Sequence, residues 1–159
     1  MRAVLLTGMS GVGKSTVLVE LACRGWSTVD TDMPEWIIHS SDDAASSGER
    51  LWHEGHMARL LAAPRSAPLA VAGTVVNQGR FYDRFDAIVL LSAPLETMLQ
   101  RVVTRNSNPF GRRRAERAAI RRDHADVEPL LRSSATHEIS TVRPLHEVVA
   151  EIELIAQSA

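Results

Sequence analysis

Short apolar runs alternate along the chain with stretches whose apolar residues recur at helical spacing. Ala3 to Thr7 predicts a buried strand. Glycines follow, then an amphipathic helix from about Gly13 to Arg24, stopped by Gly25. Trp26 to Val29 predicts a second strand, ending in Asp-Thr-Asp, and Pro34 suits the first turn of a short helix through about His39. Ser40 to Gly48 (SSDDAASSG) reads as loop, after which helix resumes near Glu49 and runs to Ala63. Leu69 to Gly73 gives a third strand and Ala87 to Ser92 a fourth, with a short helical connection from Asn77 to Phe85. Leu95 to Arg105 predicts a helix and Asn106 to Gly111 a turn-rich break. A long polar helix comes next, disturbed near Pro129. His137 to Thr141 makes a fifth strand, and Pro144 opens a terminal helix with apolar positions 145, 148, 149, 152 and 155. This order implies an α/β fold, a five-stranded parallel sheet with helices on both faces. With no repeat and no long linker, residues 1–159 are expected to form a single domain.

The glycines between the first strand and helix carry chemistry. Gly8-Met9-Ser10-Gly11-Val12-Gly13-Lys14-Ser15-Thr16 satisfies G-x-x-x-x-G-K-[ST] in full. Glycines let the backbone approach phosphate closely, where a β-carbon would obstruct it. Loop N–H groups and the positive N-terminus of the following helix face the same anion. Lys14 offers a compact charge to the β- and γ-phosphates, and Ser15 a hydroxyl to magnesium. Gly8, Ser10, Gly11, Val12, Gly13, Lys14, Ser15 and Thr16 are therefore the candidate nucleotide-binding residues. The strand before the motif and the helix after it are the context that a chance match would lack.

Composition sharpens this. The 159 residues carry 18 basic and 19 acidic side chains, but 17 of the basic ones are arginine and only Lys14 is lysine. The excess reads as base-composition bias, which leaves the one lysine at the position where a planar guanidinium has the wrong shape. A net charge of −1 gives no global electrostatic argument for nucleic acid, which is not the expected partner. One cysteine, Cys23, excludes an internal disulfide and is expected to be a small core residue. No run approaches the roughly 20 apolar residues of a membrane span, so a cytoplasmic setting is expected.

Asp30 and Asp32 lie 16 and 18 residues beyond Lys14, at the carboxyl end of the second strand. In extended chain both carboxylates face one way, into the crevice where open α/β sheets bind ligands. Asp30 is the candidate to support magnesium or acceptor, and Asp32 the candidate base for an attacking hydroxyl. Alternatively Asp32, just before Met33-Pro34, is only a helix cap.

With these elements the chain resembles the superfamily of shikimate kinases, gluconate kinases and nucleoside monophosphate kinases. The resemblance runs from Arg2 to the final helix and implies the P-loop kinase fold with a small lid, ATP and Mg2+ as cofactors, and phosphoryl transfer to a small-molecule hydroxyl. In that superfamily arginines of a lid close over ATP. Here the lid corresponds to residues 105–114, with Arg101 and Arg105 beside it as candidate catalytic groups. Eight arginines fall within residues 101–122, most of them explained by a solvated helix face. Thr141-Val142-Arg143-Pro144 is similar to the loop that cradles adenine, which makes Arg143 a candidate base contact. The acceptor region corresponds to residues 33–63, expected to be helical.

Departures bear on the acceptor. The third strand ends in Gly73-Thr74 without an acid, and shikimate kinases use glycines there to contact substrate. The arginines with which those enzymes hold a carboxylate are replaced by Trp52-His53 and Val127, unless Arg50, Arg59 or Arg80 has taken over. Candidate acceptor contacts are Asp30, Asp32, His53, Gly73, Thr74 and Arg80, the last within the polar–aromatic cluster from Asn77 to Tyr82. His53 and His56 stand three apart, unlike the zincin spacing, and Trp36 and Trp52 are read as core. Three other readings remain open: a nucleoside or nucleotide kinase, with Trp36, Trp52 or Phe81 stacking on a base, a non-catalytic ATP-binding regulatory or resistance protein, and a polynucleotide end kinase with the arginine-rich helix as a phosphate track.

Overall fold

A computed structural model describes residues 2–40, 48–106 and 109–158. Its strands are β1 (Ala3–Thr7), β2 (Ser27–Asp30), β3 (Ile37–His39), β4 (Arg50–Trp52), β5 (Leu69–Ala72), β6 (Ala87–Ser92) and β7 (His137–Ser140). Its α-helices are α1 (Lys14–Cys23), α2 (Glu54–Ala62), α3 (Leu95–Thr104), α4 (Arg114–Asp126), α5 (Glu128–Ser134) and α6 (Leu145–Ser158). Five strands form a parallel sheet in the order β2-β5-β1-β6-β7, with Leu5 of β1 opposite Val71 on one side and Ile88 on the other.

Central β1 is buried along its whole length, and its alternate residues serve two cores. Val4 and Leu6 meet Val17, Leu18 and Leu21 of α1 and Val148, Val149 and Ile152 of α6. Ala3 and Leu5 meet Met57 and Leu61 of α2, together with Phe81 and Phe85. Burying each large apolar side chain contributes about 1.5–3 kcal/mol. The carboxyl end of β1, where the glycine loop begins, is held from both faces. Gly25 ends α1 as expected: it takes φ 87°, and Trp26 N–H returns to Leu21 O at 3.1 Å.

Residues 33–63 differ from the helical expectation. Pro34 opens only a 3-10 turn, Pro34–Trp36, and the chain then extends into an antiparallel hairpin of β3 and β4 with Ile37 opposite Trp52. Both side chains face the second core, Trp52 fully buried, and strand geometry is what puts these two on one side. Helix therefore starts at Glu54 rather than Glu49, where the His53 ring nitrogen accepts from His56 N–H. Of the predicted loop from Ser40 to Gly48, only its two end residues are described; residues 41–47 lie outside those described.

Cys23 is exposed, not core. It sits two residues beyond buried Leu21, about 200° around α1, on the face turned from the sheet. The long polar helix divides at Val127 into α4 and α5, beside Pro129, whose missing N–H cannot continue the helical ladder.

Candidate active site

The loop from Gly8 to Gly13 rises from β1 and turns into α1. Gly11 and Gly13 require glycine for different reasons. A β-carbon on Gly11 would stand 2.6 Å from Met98 O and 2.7 Å from Val102, because the loop presses on α3. Gly13, at φ 106°, faces open space: its constraint is the backbone conformation that starts α1. Lys14 Nζ lies against the loop itself, donating to Gly8 O at 2.6 Å and Met9 O at 3.3 Å. Burial pushes its pKa down, against the opposing pull of the Asp32 and Asp30 carboxylates.

Next to the lysine, Ser15 Oγ donates to Asp30 Oδ2 at 2.9 Å, and Asp30 Oδ1 accepts from Asp32 N–H at 3.1 Å. Asp32 Oδ1 in turn accepts from Arg50 Nη2 at 2.9 Å. The two carboxylates that the sequence singles out thus stand beside the loop, with Thr31 buried between them.

Two arginines arrive from the end of α3. Arg101 donates to Val12 O at 3.2 Å, Thr141 Oγ1 at 2.9 Å and Thr141 O at 2.8 Å, while Thr141 Oγ1 donates to Val12 O at 2.7 Å. This knot ties the glycine loop to the segment after β7. Arg105 reaches Phe110 O at 2.8 Å and comes within 3.5 Å of Ser10 Oγ; burial lowers its pKa and the Asp32 charge raises it. Residues 10–17, Asp32, Arg101 and Arg105 line a single cavity of about 500 Å³ together with Thr141, Arg143, Leu145 and Val148. Arg143 is also ion-paired with Glu151. Of the lid segment, residues 105, 106 and 109–114 are described. Gly111 packs on Val102, and Glu116 accepts from the N–H groups of Gly111 and Arg113.

The other acceptor candidates do not line this cavity. Thr74 Oγ1 donates to Gly8 O at 2.9 Å and accepts from Gly8 N–H at 3.1 Å, so it braces the base of the loop. Gly73 is glycine because a β-carbon would fall 2.0 Å from Thr31 Oγ1. His53 caps α2 and stacks on His56 at 3.9 Å between ring centroids. Arg80 pairs with Glu54 at 2.5 Å, its side chain 71% exposed. The Asn77–Tyr82 cluster works internally. Asn77 holds both backbone groups of Trp52, and buried Gln78 donates to Thr7 Oγ1 and to Tyr82 Oη. Trp52 and Phe81 are 0% and 5% exposed and meet edge-on, so neither offers a face to a base.

Sequence reasoning missed Thr141 as a loop support and Gln78 as a buried brace. Both make their bonds to partners far along the chain, and no spacing rule marks such bonds. Among the described residues, no three His, Cys, Asp or Glu side chains gather as a metal site, and no helix is long and apolar enough to cross a membrane.

A family model described as AAA domain matches residues 4–122, from β1 through most of α4. No curated protein matches the chain by sequence. Solved structures share its fold. Shikimate kinase from Acinetobacter baumannii in complex with shikimate is 21% identical with TM-score 0.66, covering 99% of this chain and 94% of that one. Shikimate kinase from Bacteroides thetaiotaomicron is 14% identical with TM-score 0.63 and 98% coverage of both chains. A gluconokinase from Sinorhizobium meliloti 1021 is 18% identical with TM-score 0.58, covering 99% of this chain and 94% of that one.

Proposed function

Because the chain belongs to the AAA-domain family, we propose that it is a P-loop kinase that transfers the γ-phosphoryl group of ATP to a hydroxyl of a small-molecule acceptor. One observation carries the reading: the glycine loop, Lys14, the Asp32 carboxylate and two arginines from α3 meet around a single cavity. An anion-binding loop alone would suit many nucleotide-binding proteins. A carboxylate beside its lysine, with cations opposite, suits transfer to a protic acceptor.

Loop N–H groups and the start of α1 bind the phosphates. Lys14 exchanges the carbonyls of Gly8 and Met9 for phosphate oxygens, a short movement within the same loop. The Ser15 hydroxyl and the Asp30 carboxylate, 2.9 Å apart, form an all-oxygen donor pair that fits Mg2+. When bound there, the ion supplies neutralising charge to the β- and γ-phosphates. Asp32 accepts the acceptor's proton as the new oxygen–phosphorus bond forms and the bond to the bridging oxygen breaks, leaving ADP. Arg105 offsets charge on the transferring group. Arg101 acts further back, keeping the loop and the Thr141–Arg143 segment in register, with Leu145 and Val148 as an apolar wall for the base. The acceptor enters from the side of residues 33–63, the segment that carries Arg50 to Asp32.

The test is ADP release from ATP and Mg2+ over a panel of hydroxyl-bearing metabolites. Acceptor-dependent release that Lys14→Ala abolishes is the expected result. Release that survives Lys14→Ala would overturn the assignment.

A further inference from the structure

The strongest feature outside the loop is the way the β3–β4 hairpin is fastened to the end of β2. Arg50 and Trp52 lie two apart on β4 and share a face, and each grips one residue of the Thr31-Asp32 pair. Trp52 Nε1 donates to Thr31 Oγ1 at 2.8 Å in the core, and Thr31 Oγ1 donates on to Ala72 O at 2.8 Å. Arg50 Nη2 donates to Asp32 Oδ1 at 2.9 Å at the mouth of the crevice. The hairpin backbone is pinned too, by Val76 N–H to Arg50 O at 3.2 Å and by Asn77 on both sides of Trp52. The Asp32 carboxylate is therefore aimed by an arginine whose own backbone cannot drift.

Both members of the Arg50–Asp32 pair have side chains 45% exposed. An ion pair so exposed contributes little to stability. Its consequence is orientation. With Oδ1 engaged by Arg50, the other carboxylate oxygen is directed away from the guanidinium. Below it, Asp32 N–H holds Asp30, and Asp30 holds Ser15. One line of contacts thus runs from the hairpin to the serine of the loop.

We propose that Arg50 is a positioning residue, which acts through Asp32 and sets its carboxylate for proton transfer. The inference rests on the phosphotransferase reading, since it gives Arg50 no role apart from Asp32. It also explains why this short hairpin is anchored by three separate side chains. A base carried on a two-residue turn needs support from outside its own element, because a misplacement of about 1 Å costs on the order of a hundredfold in rate.

The test uses water as the acceptor, which removes dependence on the unidentified one. ATP hydrolysis with Mg2+ is compared in the wild type, Arg50→Gln, Arg50→Lys, Asp32→Asn and the Arg50→Gln/Asp32→Asn double variant, with ADP affinity measured by calorimetry in each. Arg50→Gln is expected to lower kcat by about tenfold or more with ADP affinity unchanged, and Arg50→Lys to recover part of the loss. The double variant is expected to match Asp32→Asn alone, because residues acting as one unit are not additive. Losses that multiply, or ADP affinity that falls with the rate, would overturn the positioning role while leaving Asp32 in place. If Asp32→Asn leaves hydrolysis unchanged, the base itself is wrong and the role of Arg50 falls with it.

Discussion

Lys14 is the only lysine among 18 basic residues, and its ammonium rests on two carbonyl oxygens of its own loop. A guanidinium keeps the charge but is broader and planar, and the Gly8 carbonyl it would have to share is already bonded to Thr74. Lys14→Arg is expected to lower kcat by roughly 10²–10³ with little change in melting temperature, because the charge that stabilises the transition state is misplaced while the fold is untouched. Steady-state kinetics beside a thermal melt would check both halves. Gln78 is the contrasting case. It is 3% exposed, and its amide bridges Thr7, Val75 and Tyr82 beneath the loop. Gln78→Leu leaves the Val75 N–H without this partner and should cost about 1–3 kcal/mol in chemical denaturation. Here the damage is to the fold first and to nucleotide affinity second.

The elements were legible to unequal degrees. The strands β1, β5 and β6 and the start of α1 could be read directly, because continuous apolar runs mean strands buried on both faces and the glycine motif fixes the turn between. The arginines at the end of α3 were also readable from the break after Arg105, whereas Asp30 and Asp32 are brought together by a turn, with Asp32 N–H on Asp30 Oδ1, and not by the period-two geometry of extended chain. Residues 33–63 were not. Pro34 and the apolar residues after it suit a helix locally, but Ile37 and Trp52 are drawn together across the hairpin by the second core. That is a tertiary contact between residues 15 positions apart, and it overrides local preference. Gly73 and Thr74 were read as acceptor contacts from the resemblance to shikimate kinases; in the fold Gly73 packs against Thr31 and Thr74 bonds Gly8. The hairpin's link to the core gives a further prediction. Trp52→Phe keeps most of the buried surface but removes the Nε1 donor to Thr31. It should cost about 1 kcal/mol by denaturation and lower activity by more than that loss of stability explains, because the same strand carries Arg50 to Asp32.

Across the whole molecule, acid sensitivity and ligand binding report on distant ends of the sheet. Burial pushes the Asp86 carboxyl up, but the Ala3 N–H at 2.7 Å and the Arg2 guanidinium at 2.8 Å outweigh it and hold the group below its ordinary value of 3.8. A carboxyl lower in the folded chain than in the unfolded one adds stability above the ordinary value, and this is lost as pH falls through the folded value. Denaturation midpoints measured from about pH 5 to pH 2 should therefore decline, and decline less in Asp86→Asn. At the opposite end, ATP with Mg2+ at 100 times its dissociation constant should stabilise the chain by about 2.7 kcal/mol, with the shift abolished in Lys14→Ala. Nucleotide binding alone would fit a regulatory protein equally well. The decisive measurement is ADP production with ATP and Mg2+ across a panel of small hydroxyl compounds, run in parallel on the wild type and Asp32→Asn. The account predicts that at least one compound raises the wild-type rate well above its rate with water and that Asp32→Asn removes the increase. Tight ATP binding with no compound raising the rate, or an increase that Asp32→Asn leaves intact, would contradict it.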